Sequence, residues 1–328
     1  MDLWKVFGPR RTSRETIRYT TAGKLFTVWR WDLRVANDML DSIVFFYGNE
    51  HDAENGRDPV GTGFCVWVAD QDQSFTHIYV VTNEHVIRAS APLHFVRPTS
   101  PIASNGSSLS LSEYDWLPHP DGDDIAVCYL GCDVMVPFGA LQAATALISR
   151  EQVAERHAGI GDDCVMIGCF SPHSGTRTNL PVVRFGNISM MPVEAIWVAG
   201  RSHFQECFLV EMRSRNGFSG SPVYLLPSLT LNATPSFDPD RNETLGICCG
   251  HLNEPRAIHW TDPHSGQAVE AEVDENSGMA MVIPGWKIRD FLFSDELIAI
   301  RKQAESSKKP CSRDAPRVHA PTSSAVHT

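Results

Sequence analysis

The sequence predicts an all-β chain, built as two packed antiparallel β-barrels followed by a C-terminal helix. Three observations predict it. Apolar runs are four to eight residues long and rich in Val, Ile, Phe and Tyr. Gly, Pro, Asn or Asp bounds most of them. Helical periodicity is scarce, with one clear stretch near the C-terminus.

Residues 1–37 read as a mixed N-terminal arm. Residues 38–150 carry the first set of strand-like runs, SIVFFYG, GTGFCVWV, HIYVVTNEHVI, PLHFVRP and DIAVCYLG, and are assigned to a first barrel. A segment near 141–156, LQAATALISREQVAER, reads as the crossover. Residues 151–300 repeat the pattern with CVMIGCF, PVVRFGNISMMP, CFLVEM, SPVYLL, LGICCGHL and GMAMVIP. Two polar insertions, 228–243 and 253–277, are expected to flank a cleft. In IPGWKIRDFLFSDELIAIRKQ, Trp286, Ile288, Phe291, Leu292 and Leu297 line one helical face. Residues 301–328 are rich in Ser, Lys and Pro and are expected to be a disordered tail.

Composition bounds the function. Of 328 residues, 42% are hydrophobic and 20% charged, a balance that supports a buried core. The net charge of −11 is uneven. Residues 1–34 carry +5 and residues 301–328 carry +4, which leaves −20 for residues 35–300. That acidic body argues against nucleic acid as a partner. No run of 18 apolar residues suggests a membrane span, and the polar, basic N-terminus lacks a secretory h-region, so a cytoplasmic location is expected. The nine cysteines sit mostly in apolar runs and show no zinc spacing. They read as small buried hydrophobes, with neither a disulfide framework nor a metal or organic cofactor expected.

Three segments carry the chemistry. The run Val80-Val81-Thr82-Asn83-Glu84-His85-Val86-Ile87 delivers a histidine at the end of a strand. In Asp123-Asp124-Ile125-Ala126-Val127 a carboxylate precedes a strand, and in Gly217-Phe218-Ser219-Gly220-Ser221-Pro222 a serine sits between glycines. A serine hydroxyl needs a base to become a nucleophile. Histidine titrates near working pH, and a carboxylate fixes its tautomer. A Gly-x-Ser-Gly turn aims backbone amides at an oxyanion. Each segment alone is weak, because such a serine turn, histidine or aspartate is more often structural. Their order, spaced by 39 and 95 residues within an all-β pattern, is the stronger signal. The acidic run 121–124 lacks EF-hand spacing.

These segments resemble the trypsin-like, chymotrypsin-fold peptidases, nearest in style to bacterial glutamyl endopeptidases and HtrA-type protease domains. Gly61-Thr62-Gly63-Phe64 resembles the GSGF-type opening strand, and Thr82 to Val86 the TNxHV histidine motif. Asp124 to Val127 resembles DIAV, and Gly217 to Pro222 resembles GNSGSP. Gly278 to Pro284 matches the late strand before the terminal helix.

Over roughly residues 40–300, the resemblance implies two six-stranded barrels and a serine endopeptidase acting on peptide or protein substrates. It implies Ser219 as nucleophile, His85 as base, Asp124 as orienting carboxylate with Asp123 as rival, and the amides of Gly217 and Ser219 as oxyanion hole. The strand from Leu245 to His251, with Cys249, Gly250 and His251, would receive substrate as an added strand. Arg213, six residues before Ser219, and His251 would border the specificity pocket and favour an acidic side chain. Phe218 stands where the digestive branch has Asp, and no activating Ile-Val-Gly-Gly N-terminus is present, so activation by a buried amine is not expected. The competing reading is a catalytically silent binding module on the same fold.

Overall fold

The computed structural model describes residues 15–21, 24–30, 35, 37–70, 75–99, 108–133, 141–155, 158–226, 243–261 and 268–307. The chain divides into two units, Met1–Asn37 and Asp38–Thr328. The first holds one antiparallel hairpin, β1 (Glu15–Thr21) and β2 (Lys24–Arg30), in register from Glu15↔Arg30 to Thr21↔Lys24.

The division falls within the short helix α1 (Asn37–Asp41), and the second unit contains both β-lobes. Lobe one uses β3 (Ile43–Tyr47), β4 (Gly61–Ala69), β5 (Thr76–Thr82), β6 (Phe95–Pro98), β7 (Leu109–Ser110), β8 (Trp116–Pro118), β9 (Ala126–Cys132) and β10 (Gln142–Ala143). The sheet runs β7-β6-β3-β4-β5-β9-β8, with β10 lying parallel to β4. Helix α2 (Glu50–Asn55) joins β3 to β4, and α3 (Glu84–Ser90) follows β5.

This lobe is a curled, eight-stranded half-barrel sheet, consistent with the double-barrel architecture the sequence predicts. One edge of β4 is shared. β3 pairs with Gly61 to Phe64, and β10 takes over at Val66 and Trp67. The segment read as a crossover thus adds a strand before α4 (Arg150–Ala154).

Lobe two closes completely. β11 (Asp163–Gly168), β12 (Val182–Met190), β15 (Phe208–Glu211), β18 (Ala268–Pro284), β17 (Thr244–Thr261) and β16 (Pro222–Leu225) form a six-stranded ring in that order. A small hairpin, β13 (Ile196–Val198) and β14 (His203–Gln205), projects between β12 and β15. Each lobe has its own apolar core. Val44, Phe46, Cys65, Val80 and Cys128 fill the first, and Met166, Phe208, Phe218, Leu245 and Val282 the second. Among the described residues every cysteine but the half-buried Cys249 is buried, and burial pushes the thiols of Cys128, Cys164, Cys169 and Cys248 up to about 12.

The polar stretch 253–277 is not a loose insertion. Strands β17 and β18 stay paired as far as Thr261↔Ala268 and form a long arm beyond the ring. The insertion at 228–243 lies outside the described residues except for its last one.

The C-terminal helical stretch divides into α5 (Gly285–Leu292) and α6 (Asp295–Ser307). Trp286, Ile288, Phe291, Leu292 and Leu297 are all buried. Residues 301–307 of the expected tail belong to α6, which continues through Ser307; residues 308–328 lie outside the described residues. Arg301 is buried and donates to the Leu292 carbonyl (2.6 Å) and to Tyr79 Oη (3.0 Å). Glu305 meets His77 Nε2 at 2.9 Å. Burial lowers the His77 pKa against the opposing pull of Glu305. Among the described residues, no helix is long and apolar enough to cross a membrane.

Arg301 therefore ties α6 to β5, and its loss leaves buried acceptors without a donor. Arg301→Ala is expected to lower stability by about 1–3 kcal/mol, read as the urea unfolding midpoint. An unchanged midpoint would show that the residues after 300 lie outside the cooperative fold.

Candidate active site

Strand β5 ends at Thr82, and Asn83 turns the chain into α3 with extended backbone angles. This places His85 in the first turn of α3, where backbone amides lack helical acceptors. Asp124 supplies one. Its Oδ1 accepts from the His85 backbone N–H (3.1 Å), and its Oδ2 meets His85 Nδ1 at 2.6 Å. The carboxylate thus fixes both the helix start and the ring. With Nδ1–H committed to Asp124, the other ring nitrogen, Nε2, is left to accept a proton. The His85 side chain is 40% exposed and that of Asp124 1%.

Of the two candidate carboxylates, Asp124 is the one that reaches His85. Asp123 turns the other way, toward Gln205 Nε2 (2.5 Å), Lys287 Nζ (3.0 Å) and His119 Nδ1 (3.4 Å). His119, Asp121 and Asp123 bring three ligand atoms within 4.8 Å of one another. The Lys287 ammonium already serves Asp123 there, so a cation would have to displace it. Burial opposes the charge on Lys287, but Asp123 and Glu206 outweigh it and raise its pKa.

Ser219 comes from lobe two and is held by lobe one through Thr62. The Thr62 N–H donates to the Ser219 carbonyl (2.8 Å), and Thr62 Oγ1 donates to the Gly217 carbonyl (2.6 Å). The same Oγ1 accepts from the Cys169 N–H (2.8 Å), and the Thr62 carbonyl accepts from Thr82 Oγ1 (2.6 Å). Gly220 has φ of +85°, and a Cβ there would stand 1.9 Å from the Thr62 carbonyl oxygen. Only glycine allows that approach. Phe218 is buried in the core of lobe two, so packing anchors the serine loop at the place where the digestive branch uses a charge.

The loop orients two amides. The Asn216 carbonyl accepts from Ser171 N–H (3.4 Å), and the Phe218 carbonyl accepts from Ser221 N–H (3.0 Å). A trans peptide points its N–H opposite its C=O. The Gly217 and Ser219 amides are therefore turned away from those partners, and neither donates to a protein group among the described residues. Gly217 has φ of +98°, a conformation that favours glycine.

The remaining sequence-derived positions lie along β17. Cys249 is half-buried, with Sγ 3.9 Å from Cys207 Sγ; Gly250 sits at a bulge with φ of +152°. His251 and Arg213 line one cleft of about 930 Å³ together with Phe170, Asn216, Arg256 and Ile258. Burial lowers the His251 pKa. Arg213 is exposed and makes no ion pair with Glu211.

Two β-lobes meet at Thr62, one presenting a His–Asp pair and the other a Gly-x-Ser-Gly loop, and two helices follow the last strand. The fold is of the chymotrypsin type. No family model matches the chain, and no curated protein is significantly similar to it. Solved structures similar to it include the apo MamO protease domain from Magnetospirillum magneticum, at 14% identity and TM-score 0.47, covering 78% of this chain and 98% of that one. Rv3671c protease in an inactive form matches at 14% and 0.42, covering 77% and 88%. A serine-to-alanine mutant of Rv3671c from M. tuberculosis H37Rv matches at 13% and 0.40, covering 85% and 96%. At these values the strand pairing itself carries the fold, and no residue role is transferred.

Sequence reasoning missed Thr62 as a clasp, and it missed Arg201 and Gln205. Arg201, in the turn of the β13–β14 hairpin, pairs through Nη1 with Asp124 Oδ1 and through Nη2 with Glu84 Oε2 (2.8 Å). Gln205 Oε1 accepts from the Asp124 N–H (3.0 Å). No motif marks these residues, because they reach the site from a separate hairpin. Burial of Asp124 opposes its ionisation, but His85 and Arg201 outweigh that and lower its pKa.

A depressed carboxylate pKa stabilises the fold above the unfolded value of about 4, and that contribution is lost as pH falls through the native value. Arg201→Met removes one cause of the depression. Its acid-unfolding midpoint, followed by tryptophan fluorescence, is expected at higher pH than the parent's. A midpoint unchanged or lower contradicts the pairing.

Proposed function

We propose that the chain is a serine endopeptidase using Ser219, His85 and Asp124. The observation that carries this reading is the His85–Asp124 pair, held one clasp away from a serine loop whose Gly217 and Ser219 amides meet no protein acceptor among the described residues.

In this reading Ser219 Oγ attacks the peptide carbonyl carbon while His85 Nε2 takes its proton. The carbonyl oxygen becomes an oxyanion and accepts from the Gly217 and Ser219 amides. Collapse breaks the C–N bond, and the leaving amine takes the proton from Nε2. Water then attacks the acyl ester, giving its proton to Nε2, and the ester bond breaks with return of that proton to Ser219 Oγ. Asp124 stays ionised and steadies the imidazolium. Extended substrate adds to β17 at Cys249 to His251, beyond Ile247, the last β17 residue paired with β16. Arg213 and His251 face that substrate from the cleft.

A fluorophosphonate probe tests the nucleophile. The parent is expected to be labelled, and Ser219→Ala not. His85→Ala is expected to lose labelling rate by about three orders of magnitude or more with the fold retained. Parent protein that stays unlabelled across pH supports the silent binding module instead.

A further inference from the structure

The peptidase reading uses β17 only as far as His251, yet the strand runs on to Thr261. From Asn253↔Asn276 to Thr261↔Ala268 it pairs with β18 along one edge without a further register shift. The other edge is open. β16 leaves it after Ile247, and among the described residues no strand takes its place. Residues 253–261 and 270–275 are all exposed, so the arm is a two-stranded ribbon with both faces wet. Such a ribbon is marginal by itself, and an open edge is a template for another strand.

The open edge continues the stretch from Cys249 to His251, and the ring gives the direction. Every pairing in the ring is antiparallel. A strand added antiparallel to β17 runs inward from the arm toward Cys248, whose carbonyl accepts from Gly220 N–H (2.9 Å) beside Ser219. Its residues over the arm are therefore N-terminal to the bond at Ser219.

Charge decides between occupants. The described arm residues hold the carboxylates of Glu254, Glu270, Glu272, Asp274 and Glu275 against the one guanidinium of Arg256. A second copy would bring an equally acidic ribbon edge to edge, and like charges across a ladder oppose pairing. A cationic strand meets no such opposition. Alternation adds a pattern. Glu270, Glu272 and Asp274 share one face of the ribbon, and Ile258, Trp260 and Val273 share the other as exposed apolar surface.

We propose that the edge of β17 from Asn253 to Thr261 takes the upstream segment of an extended polypeptide as a third strand, and fits a segment in which apolar residues alternate with Lys or Arg. The turnover of that polypeptide rests on the peptidase reading above, whereas its pairing with the edge does not.

The test uses fluorescent peptides of alternating Val and Lys, about four or about twelve residues long. Anisotropy with Ser219→Ala protein reads their binding without catalysis. The long peptide is expected to bind about tenfold more tightly or better, through added cross-strand contacts. N-methylation of every second residue removes the donors along one edge of the peptide only. One methylated set is expected to lose the length advantage, and the alternate set to keep it. Glu in place of Lys weakens the long peptide by about three- to tenfold, a difference that shrinks in high salt because the carboxylates are exposed. It also shrinks when Glu270→Gln, Glu272→Gln and Asp274→Asn are combined. A chain with Asn-Gly in place of residues 253–276, checked for an unchanged urea midpoint, loses the length advantage. Equal binding of long and short peptides, or of the two methylated sets, overturns the proposal. So does a dimer in sedimentation that disappears with the arm, which assigns the edge to a second copy. Length-dependent binding by a protein that neither labels with the probe nor cleaves leaves the edge assignment standing and overturns only the peptidase.

Discussion

Thr62 is the residue on which the site depends. Its amide, hydroxyl and carbonyl make four hydrogen bonds, to Ser219, Gly217, Cys169 and Thr82. Three of those partners belong to lobe two, and the fourth ends the strand that leads to His85. One buried threonine therefore sets the position of the serine loop relative to the histidine helix. A second lock lies away from the site, where the buried Arg97 and Asn179 bond reciprocally at 2.6 and 2.5 Å. Both locks are polar contacts between separately packed cores. Their alignment is specific because an unmet partner there would be costly.

The electrostatics of Asp124 follow the same logic. A carboxylate buried this deeply needs cationic or N–H partners, and it receives them from the His85 backbone, the His85 ring and Arg201. Its backbone is held as well, the N–H by Gln205 and the carbonyl by Asn83. Asp123, one residue earlier, is satisfied by a different set, so adjacent carboxylates serve separate roles. The hairpin that supplies Arg201 and Gln205 buttresses the aspartate from outside both barrels.

Strand runs, the terminal helix and the three chemical motifs were legible because each is a local pattern. The pairing of His85 with Asp124 rather than Asp123 followed from a family pattern and is visible in the hydrogen bonds. The strand order of lobe one was not legible: whether β4 hands its edge from β3 to β10 depends on pairing across about 80 residues, which no local run records. The arm of β17 and β18 read as a polar insertion because it pairs without a buried face, and alternation is weak where both faces are wet. Residues 301–307 read as tail because their anchors, Arg301 and Glu305, are charged, and their partners Tyr79 and His77 lie more than 200 residues away.

The central claim is that Thr62 holds the serine loop in place across the lobe boundary. Hydrogen exchange of the loop amides around Gly220 and Ser221, compared between the parent and Thr62→Val, tests it without reference to activity. Valine keeps the shape, removes the donor to Gly217 and strands the Cys169 amide. Exchange in this loop is expected to quicken by about tenfold or more, since the lost bond and stranded donor together cost on the order of 1–3 kcal/mol, while strands remote from the clasp stay protected. Loop exchange equal to the parent's would contradict the claim.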